Sequence, residues 1–178
     1  MFYDGKDLER LDLRPLRRQI GTVLETSRLV PGSLYNNIAG SAPFTRDRVI
    51  GAARLAGLEA DIAAMPMGLE TFVMEGGSQL SGGQRQRVMI ARALVRKPRL
   101  VFLDEATSAL DNRTQAIVGQ SIAAMNATRI VIAHRLSTIR NADRILVLER
   151  GRIVEIGTYD ELMARAGAFS RLAQRQLL

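Results

Sequence analysis

Residues 80–105 read LSGGQRQRVMIARALVRKPRLVFLDE, and this stretch decides the fold. Its last part, Leu100–Leu103, is an unbroken apolar run that ends in Asp104-Glu105. Such a run reads as a strand buried on both faces, the kind found in parallel sheets covered by helices. Ahead of it, from Gly82 onward, Val88, Ala91, Leu94 and Val95 recur at helical spacing, and Pro98 closes the segment. A helix leading into a strand with acidic residues at its carboxyl end fits an α/β sheet. Ligands of such sheets gather at that edge.

The pattern continues on both sides. Downstream, Thr114–Met125 reads as a helix and Ile130–Ala133 as a second buried strand. Ile145–Leu148 and Ile153–Ile156 flank Arg150-Gly151 and predict a hairpin, and Tyr159–Ala164 and Ala168–Leu177 predict closing helices. Upstream, Ile20, Thr22 and Leu24 mark a short strand ending near Glu25, followed by a Pro31-Gly32 loop. Ser33 is placed to cap a helix through Ile38. Thr45 can cap another, with Val49, Ile50, Ala53 and Leu55 apolar and Gly57 as its stop. Pro66, Gly68, Gly76 and Gly77 make 66–79 a loop. The fold class is α/β with a mostly parallel sheet.

Composition narrows the function. The 178 residues amount to about one domain, and 47% hydrophobic content supports a core. No stretch approaches the roughly 18 apolar residues of a membrane span. Met1–Gly5 has neither the basic nor the apolar region of a secretory signal. Zero cysteines exclude disulfides and thiolate metal sites, and one histidine argues against a histidine-based zinc site. The net charge is +7, but the arginines are spread along the chain among acids and without interleaved aromatics. That dispersal reads as a solvated basic surface, with no nucleic-acid partner. A cytoplasmic location fits.

Three features carry chemistry. Ser81-Gly82-Gly83 opens a helix, where exposed N–H groups and the helix dipole favour an anion and glycine allows close approach of the backbone. Alone, this would read first as an ordinary serine-capped helix start. The full Leu80–Gln84 string has a chance expectation on the order of 1 in 10,000 for a chain of this size. Asp104 can hold Mg²⁺ through water, and Glu105 can act as general base on an attacking water or orient it. An acidic helix cap is the plain alternative for that pair. His134 follows the Ile130–Ala133 strand at the same sheet edge as Asp104, where a neutral imidazole can hydrogen-bond a phosphate and the attacking water. The sequence contains no GxxxxGK[ST] phosphate loop. Its two lysines are Lys6, in Asp-Gly-Lys-Asp, and Lys97, followed by Pro98.

Together these residues resemble the nucleotide-binding domain of ABC transporters along the whole chain. Leu80–Gln84 is similar to the family signature, Leu100–Asp104 to Walker B, Glu105 to the catalytic glutamate, Ser108–Asp111 to the D-loop and His134 to the switch histidine. Glu75-Gly76-Gly77 resembles the exporter segment that contacts the membrane domain. The Ala142–Ile145 and Gly151–Gly157 ending resembles exporters fused to such a domain, with bacteriocin or peptide exporters as the nearest subgroup. The resemblance implies a P-loop NTPase-like fold, with a mainly helical signature subdomain over 26–98. Core strands would follow over 99–157 and C-terminal helices over 158–178. It implies ATP and Mg²⁺ as cofactors, with Ser81, Gly82, Gly83, Gln84, Asp111 and Glu25 toward the nucleotide and Asp104 toward the metal. A second ABC ATPase domain and a transmembrane domain are the implied partners, at the cytoplasmic face of the membrane.

The chain departs from the pattern in three places. It starts downstream of the phosphate loop, so the Walker A strand and helix are absent and an N-terminally truncated domain, inactive alone, is expected. Glu25 stands in the place of the usual Q-loop glutamine, and Met74 where glycine is common. Two other readings are open. One is a degenerate, non-catalytic domain lending its signature to a partner subunit. The other is a DNA-maintenance ATPase, which the absence of a long heptad segment or zinc insertion disfavours.

Overall fold

The computed structural model describes residues 2–132 and 135–177, apart from the side chains of residues 137, 176 and 177. The fold divides into two compact units, Met1–Ile130 and Val131–Leu178.

The first unit opens with a small antiparallel ladder, β1 (Phe2–Tyr3) with β2 (Lys6–Asp7), and a short helix α1 (Leu13–Arg18) capped by Asp12. Strand β3 (Ile20–Val23) follows. A loop and β4 (Gly32–Ser33) lead to α2 (Leu34–Ala39), whose first turn is capped by the Ser33 hydroxyl, as its sequence predicts. Next come α3 (Arg46–Leu55), α4 (Glu59–Ala64) and β5 (Phe72–Val73), the last paired antiparallel with β4. The long helix α5 (Gly82–Leu94) then delivers the chain to β6 (Leu100–Asp104), α6 (Asn112–Ala123) and β7 (Thr128–Ile132).

The sheet that matters has the order β3-β6-β7, with β3 and β6 parallel and Ile20 opposite Leu100. Gly21 of β3 lies so close to the end of α5 that an added Cβ would stand 2.6 Å from the Ala93 carbonyl oxygen. The core of this unit joins Val23, Leu34, Ile38, Val49, Val88, Ile90, Leu94 and Val101 around α5.

Three strands differ from their sequence-based expectation, the first being β5, which forms inside the 66–79 stretch expected as loop. In β6, Val101 and Leu103 are buried while Leu100 and Phe102 are only half-buried, so the two faces are unequal. In β7 the expected buried strand is exposed along its length, with Ile130, Val131 and Ile132 at 45%, 37% and 58%. β7 ends the order of the three-stranded sheet, and its side chains stay exposed on both faces.

The second unit holds α7 (Leu136–Ile139) and the predicted hairpin, β8 (Ile145–Glu149) antiparallel to β9 (Arg152–Gly157), with a register shift at Val147/Leu148. Helices α8 (Tyr159–Ala164) and α9 (Ala168–Leu177) follow at their expected bounds. Ile145 and Val147 pack on Leu162, Ala168 and Phe169. Among the described residues, no helix is long and apolar enough to cross a membrane.

Candidate functional site

The start of α5 is built by a reciprocal cap. Ser81 Oγ accepts from the Gln84 N–H at 3.1 Å, and the Ser81 N–H donates back to Gln84 Oε1 at 2.9 Å. The arrangement ties two backbone donors at the first turn to side chains. It leaves Ser81 exposed, with Gly82 and Gly83 half-buried beside it. Gln84, expected toward the nucleotide, has its side chain engaged twice. Its carbonyl faces Ser81, and its amide donates to Asp61 Oδ1 of α4 at 2.9 Å.

Asp61 also receives Arg87, one turn further along α5. Arg87 Nη1 donates to Asp61 Oδ2 at 2.6 Å and Nη2 to Oδ1 at 3.2 Å. The same guanidinium donates to the Gly57 and Gly83 carbonyl oxygens at 2.6 and 3.3 Å. The helical layer α3–α4 thereby clamps the first turn of α5.

The acidic strand end lies on the other side of that helix. Asp104 closes β6 and is half-buried, and Glu105 follows with φ 49°, the left-handed region that non-glycine residues seldom adopt. Gln86 of α5 reaches across to this loop. Its Nε2 donates to the Glu105 carbonyl oxygen at 2.9 Å and to Ser108 Oγ at 3.3 Å, and its Oε1 accepts from the Ala109 N–H at 2.9 Å. Gly83 permits this approach, since a Cβ there would meet the Ala109 carbonyl oxygen at 3.3 Å. The signature turn and the Glu105–Leu110 loop are therefore neighbours.

Asp111 is exposed and caps α6, accepting from the Thr114 N–H at 2.9 Å and the Thr114 hydroxyl at 2.8 Å. The Thr114 N–H, and next its hydroxyl, hold the Asp111 carboxyl below its ordinary range. Glu25 is exposed in the loop after β3. It lines a pocket of about 220 Å³ with Arg28, Leu29, Gly76, Arg85 and Met89, and the Gly76 N–H donates to the Leu29 carbonyl oxygen at 3.1 Å. His134 lies outside the described residues.

Sequence reasoning passed over Gln86, Arg87 and Arg92. Arg92 Nε and Nη2 donate to the backbone and side-chain oxygens of Asn37 at 2.6 and 2.7 Å, and Nη1 donates to the Arg28 carbonyl oxygen at 3.1 Å. Burial holds its pKa below the usual arginine value. Polar residues at 84, 86, 87 and 92 within a helix whose apolar positions face the core were the available signal.

Asp104 is one carboxylate, and among the described residues no group of three or more His, Cys, Asp or Glu side chains could hold a metal. A lone carboxylate would be one of the one or two that Mg²⁺ takes, together with phosphate oxygens and waters.

Residues 1–108 match the family model described as ABC transporter. The leukotoxin translocation ATP-binding protein LktB of Mannheimia glucosida is 49% identical over 178 residues, 98% of this chain and 25% of its own length. The ABC-type transporter fsqE of Aspergillus fumigatus is 47% identical, over 97% of this chain and 14% of its own length. A solved structure of a bacterial Atm1-family ABC exporter with ATP bound matches 98% of the chain with a TM-score of 0.93 at 41% identity. The chain covers 31% of that exporter, and it spans a quarter or less of the length of these curated relatives.

Proposed function

The chain belongs to the ABC transporter family, and we propose that it supplies the signature and Walker B part of an exporter's ATP-binding, ATP-hydrolysing domain. One observation carries the reading: a single fold sets the capped Ser81 helix start beside the loop that follows Asp104 and Glu105. The first presents backbone donors and a hydroxyl to an anion. The second presents a metal-binding carboxylate and a base.

In this reading Ser81, Gly82 and Gly83 meet the terminal phosphate of an ATP held by a second ABC ATPase domain. Gln84 fixes the Ser81 backbone. Asp104 and Glu25 face Mg²⁺, which when bound offsets phosphate charge. Glu105 takes the proton of the attacking water, and His134 hydrogen-bonds the terminal phosphate. Asp111, at the end of the D-loop, faces the partner domain. The Glu75–Gly77 turn meets a transmembrane domain, which places the chain peripherally on the cytoplasmic face of the membrane and couples hydrolysis to export. The surface binds no nucleic acid.

The test is a hybrid in which residues 1–178 replace the matching segment of LktB. ATP-dependent phosphate release by the hybrid, abolished by Glu105→Gln with ATP binding retained, is the expected result. Turnover by Glu105→Gln near the hybrid's own rate would overturn the role of Glu105. A folded hybrid with no turnover would overturn the reading as a whole.

A further inference from the structure

Gln86 is a buried polar side chain, 8% exposed, in the middle of the first two turns of α5. All three of its contacts lie in one short segment: the Glu105 carbonyl oxygen, the Ser108 hydroxyl and the Ala109 N–H. The Glu105 carbonyl also accepts from the Ser108 N–H at 3.0 Å, closing a turn on itself. Glu105 holds its left-handed φ of 49° inside this turn. A non-glycine residue stays in that region only where its surroundings over-determine it.

We propose that Gln86 is a positioning residue for Glu105: its amide fixes the Glu105 carbonyl and the Ala109 N–H together, so the signature helix sets where the Glu105 side chain points. The proposal rests on the ATPase reading above for its consequence, but not for its geometry. A side-chain amide suits this task because it donates and accepts from one planar group. No apolar residue of the same shape can do either. The linkage also has a direction. The helix that starts at Ser81 meets one nucleotide and the Glu105 loop another, so a displacement of α5 toward a bound phosphate moves Glu105 through Gln86.

Two arms test it. In the 178-residue chain, Gln86→Met should speed amide exchange across 105–110 by about tenfold or more, while amides in α3 and α9 keep their rates. Unchanged exchange across 105–110 overturns the proposal whether or not the hybrid is active. In the hybrid, Gln86→Met should lower kcat about tenfold with KM for ATP within about threefold, since a transition-state geometry is lost rather than a nucleotide contact. Gln86→Glu gives a readout that a purely structural role would not move. Its carboxylate cannot donate to the Glu105 carbonyl, whereas its protonated form can. Its kcat relative to the hybrid should therefore recover as pH falls. A ratio independent of pH, or a Gln86→Met hybrid with full kcat, refutes the positioning role.

Discussion

Arg87→Met tests whether the clamp on the signature turn is electrostatic. The Arg87 and Asp61 side chains are 13% and 20% exposed, and their closest N–O distance is 2.6 Å. Removing one partner of a buried pair costs about 3–5 kcal/mol, because a charge is left without its counterpart. The solvent that still reaches Asp61 lowers this to roughly 2–3 kcal/mol. Asp61→Leu should cost a similar amount: Arg87 keeps the Gly57 and Gly83 carbonyl oxygens as acceptors, but the Gln84 amide loses Asp61. In the double variant neither charge remains, and its loss should stay near that of either single variant, about 2–3 kcal/mol. The coupling is then roughly 2–3 kcal/mol, well above the error of a double-mutant cycle. Urea unfolding followed by circular dichroism at fixed pH and salt measures all four proteins. If the double variant loses the sum of the two single losses, the charges are independent and the clamp is only packing.

Gly21→Ala should destabilise the first unit by about 1–3 kcal/mol, because the new methyl meets the Ala93 carbonyl oxygen at 2.6 Å; an unchanged urea midpoint would show that β3 and α5 can separate freely. The Asp111 and Glu161 carboxyls are lowered chiefly by the backbone N–H groups of Thr114 and Thr158. Their stabilisation is therefore complete above the ordinary carboxylate range and is lost as pH falls through the lower folded-state values. Asp111→Asn should accordingly trail the parent at pH 7 and close the gap as pH falls below the ordinary aspartate value; a gap constant with pH counts against the cap. The exposed Ile130, Val131 and Ile132 of β7 should make the chain self-associate through a strand edge, and Ile132→Lys should shift it toward monomer on size-exclusion chromatography; a parent that elutes as a monomer at all concentrations excludes this.

Elements with their own punctuation were legible in the sequence. Ser33 and Ser81 each cap the helix they precede, and α8 and α9 lie at their expected bounds, whereas Thr45, also expected to cap, precedes α3 without a side-chain cap hydrogen bond. Helix α4 was not legible. It is six residues long, buries none of them, and starts after Leu58, which cannot cap. Helix α1, rich in arginine and carrying Pro15, hid for a similar reason. The exposure of β7 was misread because an Ile-Val-Ile run records what a strand can bury, whereas its neighbours decide what it does bury. At the candidate site, Ser81, Asp104 and Glu105 stand out in the sequence by residue type and order. The left-handed backbone at Glu105 could not, because nothing in the type of a glutamate announces it.

The run Gln84-Arg85-Gln86-Arg87 accounts for why one helix can hold so much of the site. Successive residues on an α-helix point about 100° apart, at 3.6 per turn. Gln84 and Arg87, three apart, share a face and both reach Asp61. Arg85 points elsewhere and donates to the Leu80 and Gly77 carbonyl oxygens. Gln86 points to the Glu105–Ala109 loop, and Arg92, further along, to Asn37 and Arg28. The apolar positions between them, Val88, Ile90, Ala91 and Leu94, fill the core. Every direction around α5 is thus bonded to a different segment, and rotation of the helix about its axis breaks contacts on several sides at once.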